Sequence, residues 1–401
     1  MDEAWEEENQ QVIRVLQALK QASQDLQNNP ISRKDDSNSS SLNALLELEN
    51  EADTFFSNDP HLSNLSHHLS NLKTLVNKLQ QCQDYSIGSF LRRPFYNHEI
   101  SCVAGSIERE IQAWIDREMV ENLVKSIQGS VCEDEKVKIL SQFETRVSQG
   151  FNRDLQDLVL KANVFSALES VLCNSEFSKR IREQSAFAIG ALVRFNKNVF
   201  VGQVLMGPAV RALISMASRS SIQVLCSLIK SIKSPIVDEI ESNGEIPKII
   251  SFLSSEDFSI RVQAMDCILE IGYFGRKEAI EAMLEEGLIK KLVELQRSEM
   301  GDDLIEMDRF DDERKNRGVC VGGVEIDSKA KKESEERRVL ERELFKNCVA
   351  RFAVQLEVGE GLRQREKRAF KQEILGRVRE ASLSDAEAAT IVAEVLWGSS
   401  P

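Results

Sequence analysis

The sequence predicts an all-α protein in which a right-handed α-solenoid follows an N-terminal helical bundle. Apolar residues recur mostly at steps of three and four, the spacing that places them on one side of a helix. The 401 residues include only 7 prolines and 6% aromatics beside 42% hydrophobic residues, which suits long helices better than a sheet protein with many turns. Two helical patterns also recur about every 40 residues, a period typical of repeat proteins.

Residues 1–130 are predicted to form the bundle. An amphipathic helix is expected over 5–27, a second over about 42–56, and a third, rich in leucine, follows. The segment around Pro94 is predicted to be irregular, and a last helix resumes over 106–127. Helices joined by short breaks are typical of a bundle.

From about residue 135 the pattern changes to repeats. A short apolar helix recurs with its copies aligned on Phe165, Val210, Ile246 and Ile289. A longer helix also recurs, most clearly as Ile-Arg-x-Gln at 181–184 and at 260–263, with SIQVLCSLI between them. One short and one long helix per unit cannot bury an apolar face alone, so stacked neighbours must share one core.

The entry to the short helix has its own pattern. Gly244 and Gly287 each stand two residues before an isoleucine. Glycine allows a sharp turn, with a positive φ where the turn needs one. Pro247 suits the first helical turn, where its missing N–H is no loss.

These patterns resemble the armadillo repeat. GEIPKIISFL at 244–253 followed by SIRVQAMDCILEIG at 259–272 matches its Gly-x-Ile-Pro helix and its third helix. The stretch 160–296 looks most like the armadillo proteins of plants that place a helical bundle before the repeats. The resemblance implies a groove lined by third helices that binds extended peptides.

Two specialised armadillo functions lack their motifs here. Import receptors of the importin-α kind repeat a Trp-x-x-x-Asn pair in the groove. The matching positions hold Phe187 and Ala191, then Asp266 and Glu270, which removes the specific support for an import receptor. No U-box segment precedes the repeats, so the resemblance does not carry ubiquitin-ligase activity over.

The predicted layout has four parts: the bundle, armadillo-like repeats over 135–297, a disordered charged insertion over 298–340, and a degenerate repeat with capping helices over 341–401. The insertion has mixed charge and few large apolar residues. Cys348 lies 81 residues after Cys267, which suggests a further repeat. Ser384 and Glu387 form a capping-box pattern before a terminal helix, and a terminal helix of a stack is expected to be polar outside.

Charge and composition exclude several classes of function. The net charge is −14, which argues against general affinity for nucleic acid or anionic lipid. The acidic N-terminus is not a secretory signal, and no apolar run is long enough for a membrane span. A cytoplasmic protein is expected. The basic cluster from Arg363 to Lys371 leaves the nucleus open, because it is either an import signal or a solvated helix face.

Catalytic and metal-binding patterns are also missing from the sequence. The eight cysteines are scattered without a CxxC pair and are expected to be reduced thiols; they are Cys82, Cys102, Cys132, Cys173, Cys226, Cys267, Cys320 and Cys348. All four histidines lie before residue 100, and no nucleophile-elbow, phosphate-loop or zinc-protease motif occurs. We expect no enzyme, no metal and no cofactor.

The predicted function is therefore an adaptor or scaffold that binds a partner protein. Charged residues that interrupt the apolar stripe of the long helices are the candidate site: Arg194, Lys230, Lys233, Asp266 and Glu270. Asp266 and Glu270 are four residues apart and share a face, so an exposed acidic pair that favours a basic segment is expected. The alternative is a regulatory or substrate-recognition subunit of a ubiquitin-transfer or membrane-associated signalling complex, with the bundle as docking module.

The insertion gives a first testable prediction. Limited proteolysis should cut first within 300–338, because this stretch has little to bury and loop closure costs rise only slowly with length. Replacing it with a short Gly/Ser linker should leave the melting temperature within about a few degrees. A collapse in stability would show that the segment packs against the repeats.

Overall fold

A computed structural model of the chain describes residues 16–25, 27, 63–81, 87–129, 131–297 and 345–397. Helices make up 86% of these residues and none of them lies in a strand, so the all-α prediction is confirmed. The helix predicted over 42–56 and the insertion predicted over 298–340 lie outside the described residues.

The described part of the chain contains eighteen α-helices, and their contacts divide it into two units. The first unit holds the described residues up to Val131 and Asn152–Val164, and the second holds Cys132–Phe151 and everything described from Phe165 onward. The helices are α1 (16–25), α2 (Ser63–Gln81), α3 (Ile87–Gln128), α4 (Glu133–Ser148), α5 (Arg153–Lys161), α6 (Val164–Cys173), α7 (Lys179–Phe195), α8 (Lys197–Met206), α9 (Ala209–Met216), α10 (Arg219–Ile232), α11 (Ser234–Ser242), α12 (Ile246–Ser251), α13 (Phe258–Phe274), α14 (Lys277–Glu285), α15 (288–297), α16 (Cys348–Val358), α17 (Gln364–Ala381) and α18 (Asp385–Trp397).

The first unit is a small helical bundle. α3 packs against both α2 and α5, and leucines of α1 and α2 bury against the isoleucines of α3, with Trp114 at the edge of this core. The expectation of an irregular segment around Pro94 is wrong, because α3 runs through it. Pro94 is exposed, so its missing N–H leaves one carbonyl of the preceding turn to solvent without a steric clash in the core.

The second unit is a stack of repeats, each made of three helices. Complete repeats are α8–α9–α10, α11–α12–α13 and α14–α15–α16, and α12 continues as a 3₁₀ turn over Phe252–Ser254. The long third helices pack in sequence, α4 on α7, then α10, α13, α16 and finally α18. This arrangement is an armadillo-like solenoid, since that repeat has about 40 residues in three helices.

The sequence patterns located the second helix of each complete repeat and the third helix of the first two, but none of the first helices. α8, α11 and α14 have only 9 or 10 residues, and α8 buries only Phe200 and Val204. So short an apolar stripe gives too little periodicity to recognise in a sequence.

The turn before the second helix is formed as predicted. Gly244 has a φ of 67° and Gly287 a φ of 80°, the left-handed region that glycine adopts without strain. Pro247 lies in the first turn of α12. These residues explain why the same helix opening occurs twice in the sequence.

The predicted insertion falls inside a repeat and not between two repeats. α16 packs on α13 and is the third helix of the repeat that α14 and α15 begin. Cys267 and Cys348 therefore lie on neighbouring third helices, and the 81 residues between them do not correspond to two repeat lengths. The Cys348 thiol donates to the Leu292 carbonyl at 3.2 Å, and burial raises its pKa to about 12, so it is a protonated core thiol.

No single helix among the described residues is long and apolar enough to cross a membrane. α8 and α9 satisfy the length and composition of a span only when they are joined, and the pair is bent by 69°. Phe200, Val204 and Leu213 of this pair are buried within their repeat.

Candidate partner-binding face

The third helices each bury one side in the core and leave the other side accessible. In α10, for example, Ile222, Leu225 and Ile229 are buried, whereas Gln223 and Lys230 are exposed. We call the accessible row formed by successive third helices the ladder face. Its polar residues are Glu144, Gln184, Arg194, Gln223, Ser227, Lys230, Asp266, Glu270 and Arg351.

Hydrogen bonds join the ladder face from one helix to the next at its N-terminal end. The Gln184 Nε2 of α7 donates to Glu144 Oε2 of α4 at 2.7 Å. The Arg194 Nη1, near the end of α7, donates to Ser227 Oγ of α10 at 2.9 Å. The same polar row thus crosses three helices in order.

The next link is an ion pair between α10 and α13. Lys230 Nζ lies 3.3 Å from Glu270 Oε1. Burial disfavours the charged ammonium, but the charge of Glu270 and its hydrogen bond outweigh that effect, so the pKa of Lys230 is raised. A pair this exposed adds little to stability.

Asp266 extends the row towards α16. Partial burial raises the pKa of this carboxyl, while the charges of Arg351 and Lys230 act in the opposite direction. Loss of water around the carboxylate is therefore the larger effect, and Asp266 is a half-buried group in a site where charge is costly.

The expected exposed acidic pair is therefore not found in that form. Asp266 and Glu270 do share a face, but both are half-buried, and Lys230 and Arg351 supply compensating charge. The sequence shows that Asp266 and Glu270 are four residues apart on one helix. It does not show the cations beside them, because Lys230 and Arg351 come from neighbouring helices and their position depends on how those helices pack.

Lys233 lies apart from the ladder face, in the turn that ends α10. Its Nζ is 2.9 Å from Glu360 Oε2 and 5.6 Å from the centre of the Phe274 ring. Its backbone has a φ of 70°, unusual for a residue with a side chain. These contacts indicate a structural role at the turn.

Other functional candidates from the sequence have structural partners. Within the basic cluster, Lys367 Nζ donates to the carbonyl of Glu357 at 2.9 Å and of Gly359 at 2.7 Å, and Lys371 pairs with Glu357 at 2.8 Å. These lysines hold the end of α16. In the described part of the chain, no three His, Cys, Asp or Glu side chains are placed to hold a metal ion.

Asp266 gives a prediction about pH. A raised folded pKa means that the carboxylate disfavours folding, by an amount that builds as pH rises through the ordinary aspartate value and then the raised one. Asp266→Asn should therefore unfold at higher urea than the wild type at about pH 7 and at the same urea at about pH 3. Asp157→Asn, at an exposed position in the middle of α5, is the control and should not differ from wild type at either pH. A loss of stability in Asp266→Asn at neutral pH would show that Arg351 outweighs burial.

Comparison with known proteins gives a distant likeness only. No family model and no curated protein matches the chain. A designed armadillo repeat protein, YIII(Dq.V1)4CPAF in complex with the peptide (KR)4, has a TM-score of 0.40 and 16% identity, over 70% of this chain and 98% of that one. The designed armadillo repeat protein YIII(Dq)4CqI has a TM-score of 0.40 and 15% identity, over 70% and 99%. An engineered protein has a TM-score of 0.44 and 14% identity, over 95% and 78%.

Proposed function

We propose that the chain is a non-catalytic scaffold that binds a partner protein along the ladder face. The observation that carries this proposal is the continuity of the polar row, which links α4, α7, α10 and α13 by three side-chain contacts. An extended segment laid across the row would meet one set of polar groups per repeat, at a regular spacing.

The charges of the row suit a partner of mixed charge. A purely basic segment, as expected from the sequence, would approach the carboxylates of Asp266 and Glu270. The cations Lys230 and Arg351 already lie beside these carboxylates. Exposed ion pairs contribute only about 0–1 kcal/mol each, so a partner that offers both charges can replace them at small cost. Complementary charge of this kind sets specificity and association rate more than raw affinity.

Two finer statements, on the type of armadillo protein and on its location, belong to the same proposal. We propose the plant type of armadillo protein, in which a bundle precedes the repeats, because the resemblance of residues 160–296 is to that type. We propose a cytoplasmic location, with the nucleus as the alternative. If the basic cluster of α17 acted as an import signal, Lys367 and Lys371 would have to give up their contacts with the C-terminal end of α16.

Affinity capture with the full chain tests the binding face. Arg194→Gln with Lys230→Gln changes the ladder face, whereas Lys197→Gln with Lys290→Gln removes the same charge from exposed positions on first and second helices. Partners held by the wild type should be retained by the second variant and depleted at least about tenfold by the first, equivalent to about 1.4 kcal/mol. Equal retention by both variants would place the binding site elsewhere. Circular dichroism should show unchanged helix content in both.

A further inference from the structure

The outer side of α18, the last described helix, carries large apolar side chains. Its inner side is well anchored: Ile391 and Val395 are buried, and Gln296 Nε2 donates to Glu394 Oε2 at 2.9 Å. The outer side was expected to be polar. Instead Leu396 is 47% exposed and Trp397 87% exposed, which leaves unpartnered apolar surface on a helix that is otherwise fixed in place.

Beside these large side chains is a groove of about 750 Å³, formed by α18 and the end of α17. Small residues line its middle, among them Ala389 and Ala393, which are themselves exposed. Leu383, 79% exposed, and Arg379 lie at the end opposite Trp397. The surface therefore has a large aromatic ring at one end, small residues in the middle, and a leucine with a cation at the other end.

We propose that this surface binds a second copy of the chain through antiparallel pairing of α18 with α18. A two-fold axis near the middle of the helix would place Trp397 of each copy against Leu383 and Arg379 of the other. The small residues at the crossing permit close approach of the two helices. A two-fold interface must be self-complementary, and an indole at one end of the groove with a cation and a leucine at the other meets that condition.

The cation of Arg379 favours this occupant, although the carboxylate of Asp385 lines the same end of the groove. Arg379 makes no ion pair with any other described residue, and it lies at the groove end that would receive the indole of the second copy. A guanidinium over an indole face is attractive, and the same cation would lie near the C-terminal end of the other α18, where the helix dipole favours positive charge. Both contacts occur twice in the dimer.

The size of the surface implies a weak dimer. Two tryptophans contribute roughly 300–500 Å², and the leucines and alanine faces bring the total to the order of 1,000 Å², at the lower end of specific interfaces. Interfaces of standard size have micromolar to picomolar affinity, so we expect a dimer on a smaller surface to dissociate at micromolar concentrations. This inference is independent of the ladder face and does not require a partner protein.

Sedimentation velocity on the full chain, from about 1 to 200 µM, tests the proposal. The wild type should pass from monomer to dimer over this range, and Trp397→Ala and Arg379→Ala should each weaken the dimer at least about tenfold. Two variants are controls and should dimerise as the wild type does. Met206→Ala removes another exposed apolar side chain (92% exposed), and Arg365→Ala removes a cation from the same helix as Arg379.

A mixture of the two variants separates an interface from a folding defect. Trp397→Ala retains Arg379 and Arg379→Ala retains Trp397, so the mixed dimer regains one of the two contacts that each variant alone lacks. The mixture should therefore associate more strongly than either variant alone. A wild type that stays monomeric over the whole range would overturn the proposal, whether another protein or another part of this chain covers the groove. So would dimerisation of Trp397→Ala at wild-type strength, or a mixture no stronger than its components.

Discussion

Replacing Phe352 with alanine is expected to destabilise the second unit by about 3–5 kcal/mol, the usual cost of emptying a buried phenylalanine site. Phe352 is fully buried in α16. Its ring lies against Gly272 of α13, where an added Cβ would stand 3.0 Å from Phe352 Cε2. The glycine thus allows the ring to pack on the backbone of α13.

The same substitution should change how the stack unfolds. Each repeat contacts only its neighbours, so weakening the contact between α13 and α16 uncouples the helices beyond it. Urea unfolding followed by circular dichroism should show an early separate step for α16–α18. Val354→Ala, two residues along the same helix and 40% exposed, is the control and should cost less than about 0.5 kcal/mol. Equal effects of the two substitutions would contradict the assignment of α16 as the third helix of this stack.

Removal of the Arg297 side chain is expected to be the second large effect. Arg297 Nε and Nη2 donate to the two carboxylate oxygens of Glu387 at 2.8 and 3.2 Å, and Nη2 also donates to the Ala381 carbonyl at 3.0 Å. Charge-assisted hydrogen bonds contribute about 1.5–3 kcal/mol. Arg297→Ala should cost about that much, because it leaves the Leu383 N–H as the remaining donor to the Glu387 carboxylate. It also removes one of two side-chain links between the described residues of α15 and α18, the other being Gln296 to Glu394.

The effect of Arg297→Ala should depend on pH. The hydrogen bond from Arg297 is the main reason that the pKa of Glu387 is lowered. A lowered carboxyl pKa stabilises the fold above the ordinary glutamate value and ceases to do so as pH falls through the folded value. The difference between wild type and variant should therefore be full at about pH 7 and smaller near pH 3.

A matched control for this substitution is Arg368→Ala, at an exposed position on α17, which should leave the urea midpoint unchanged at both pH values. A deficit in Arg297→Ala that stays constant with pH would mean that the Ala381 carbonyl, and not the Glu387 carboxylate, is the important acceptor.

Much of the fold was predictable because short sequence patterns mark the same helices that pack in the stack. Gly244 and Pro247 mark the start of α12 through backbone geometry alone, and the apolar stripe of α13 is long enough to recognise. The first helix of each repeat has neither a glycine–proline start nor a long apolar stripe. Contacts that recur between repeats were also hidden: Lys248 Nζ donates to Ser215 Oγ at 3.1 Å and Lys291 Nζ to Ser254 Oγ at 3.3 Å, yet lysine and serine are ordinary surface residues.

The candidate site was predictable in part. Four of the five residues chosen from the sequence lie on the ladder face, because a charge within an apolar stripe marks the accessible edge of a helix. Their partners Ser227 and Arg351 were missed, since lateral register depends on how neighbouring repeats pack. Ser384 was predicted as a helix cap, and Glu387 N does donate to its Oγ at 3.2 Å. The Glu387 carboxylate instead accepts from Leu383 N and from Arg297, a longer-range contact that a local pattern does not show.

Site-specific photo-cross-linking tests the central claim, that partners bind along the third helices. A photoreactive side chain at Gln223 or Lys230, both exposed on the ladder face, would be compared with one at Lys197 or Lys290, exposed on first and second helices. Gln223 and Lys230 are seven residues apart on α10 and share a face. The proposal predicts one common cross-linked partner from these two positions and none from the other two. The same partner captured at Lys197 or Lys290, with none at Gln223 and Lys230, would contradict it.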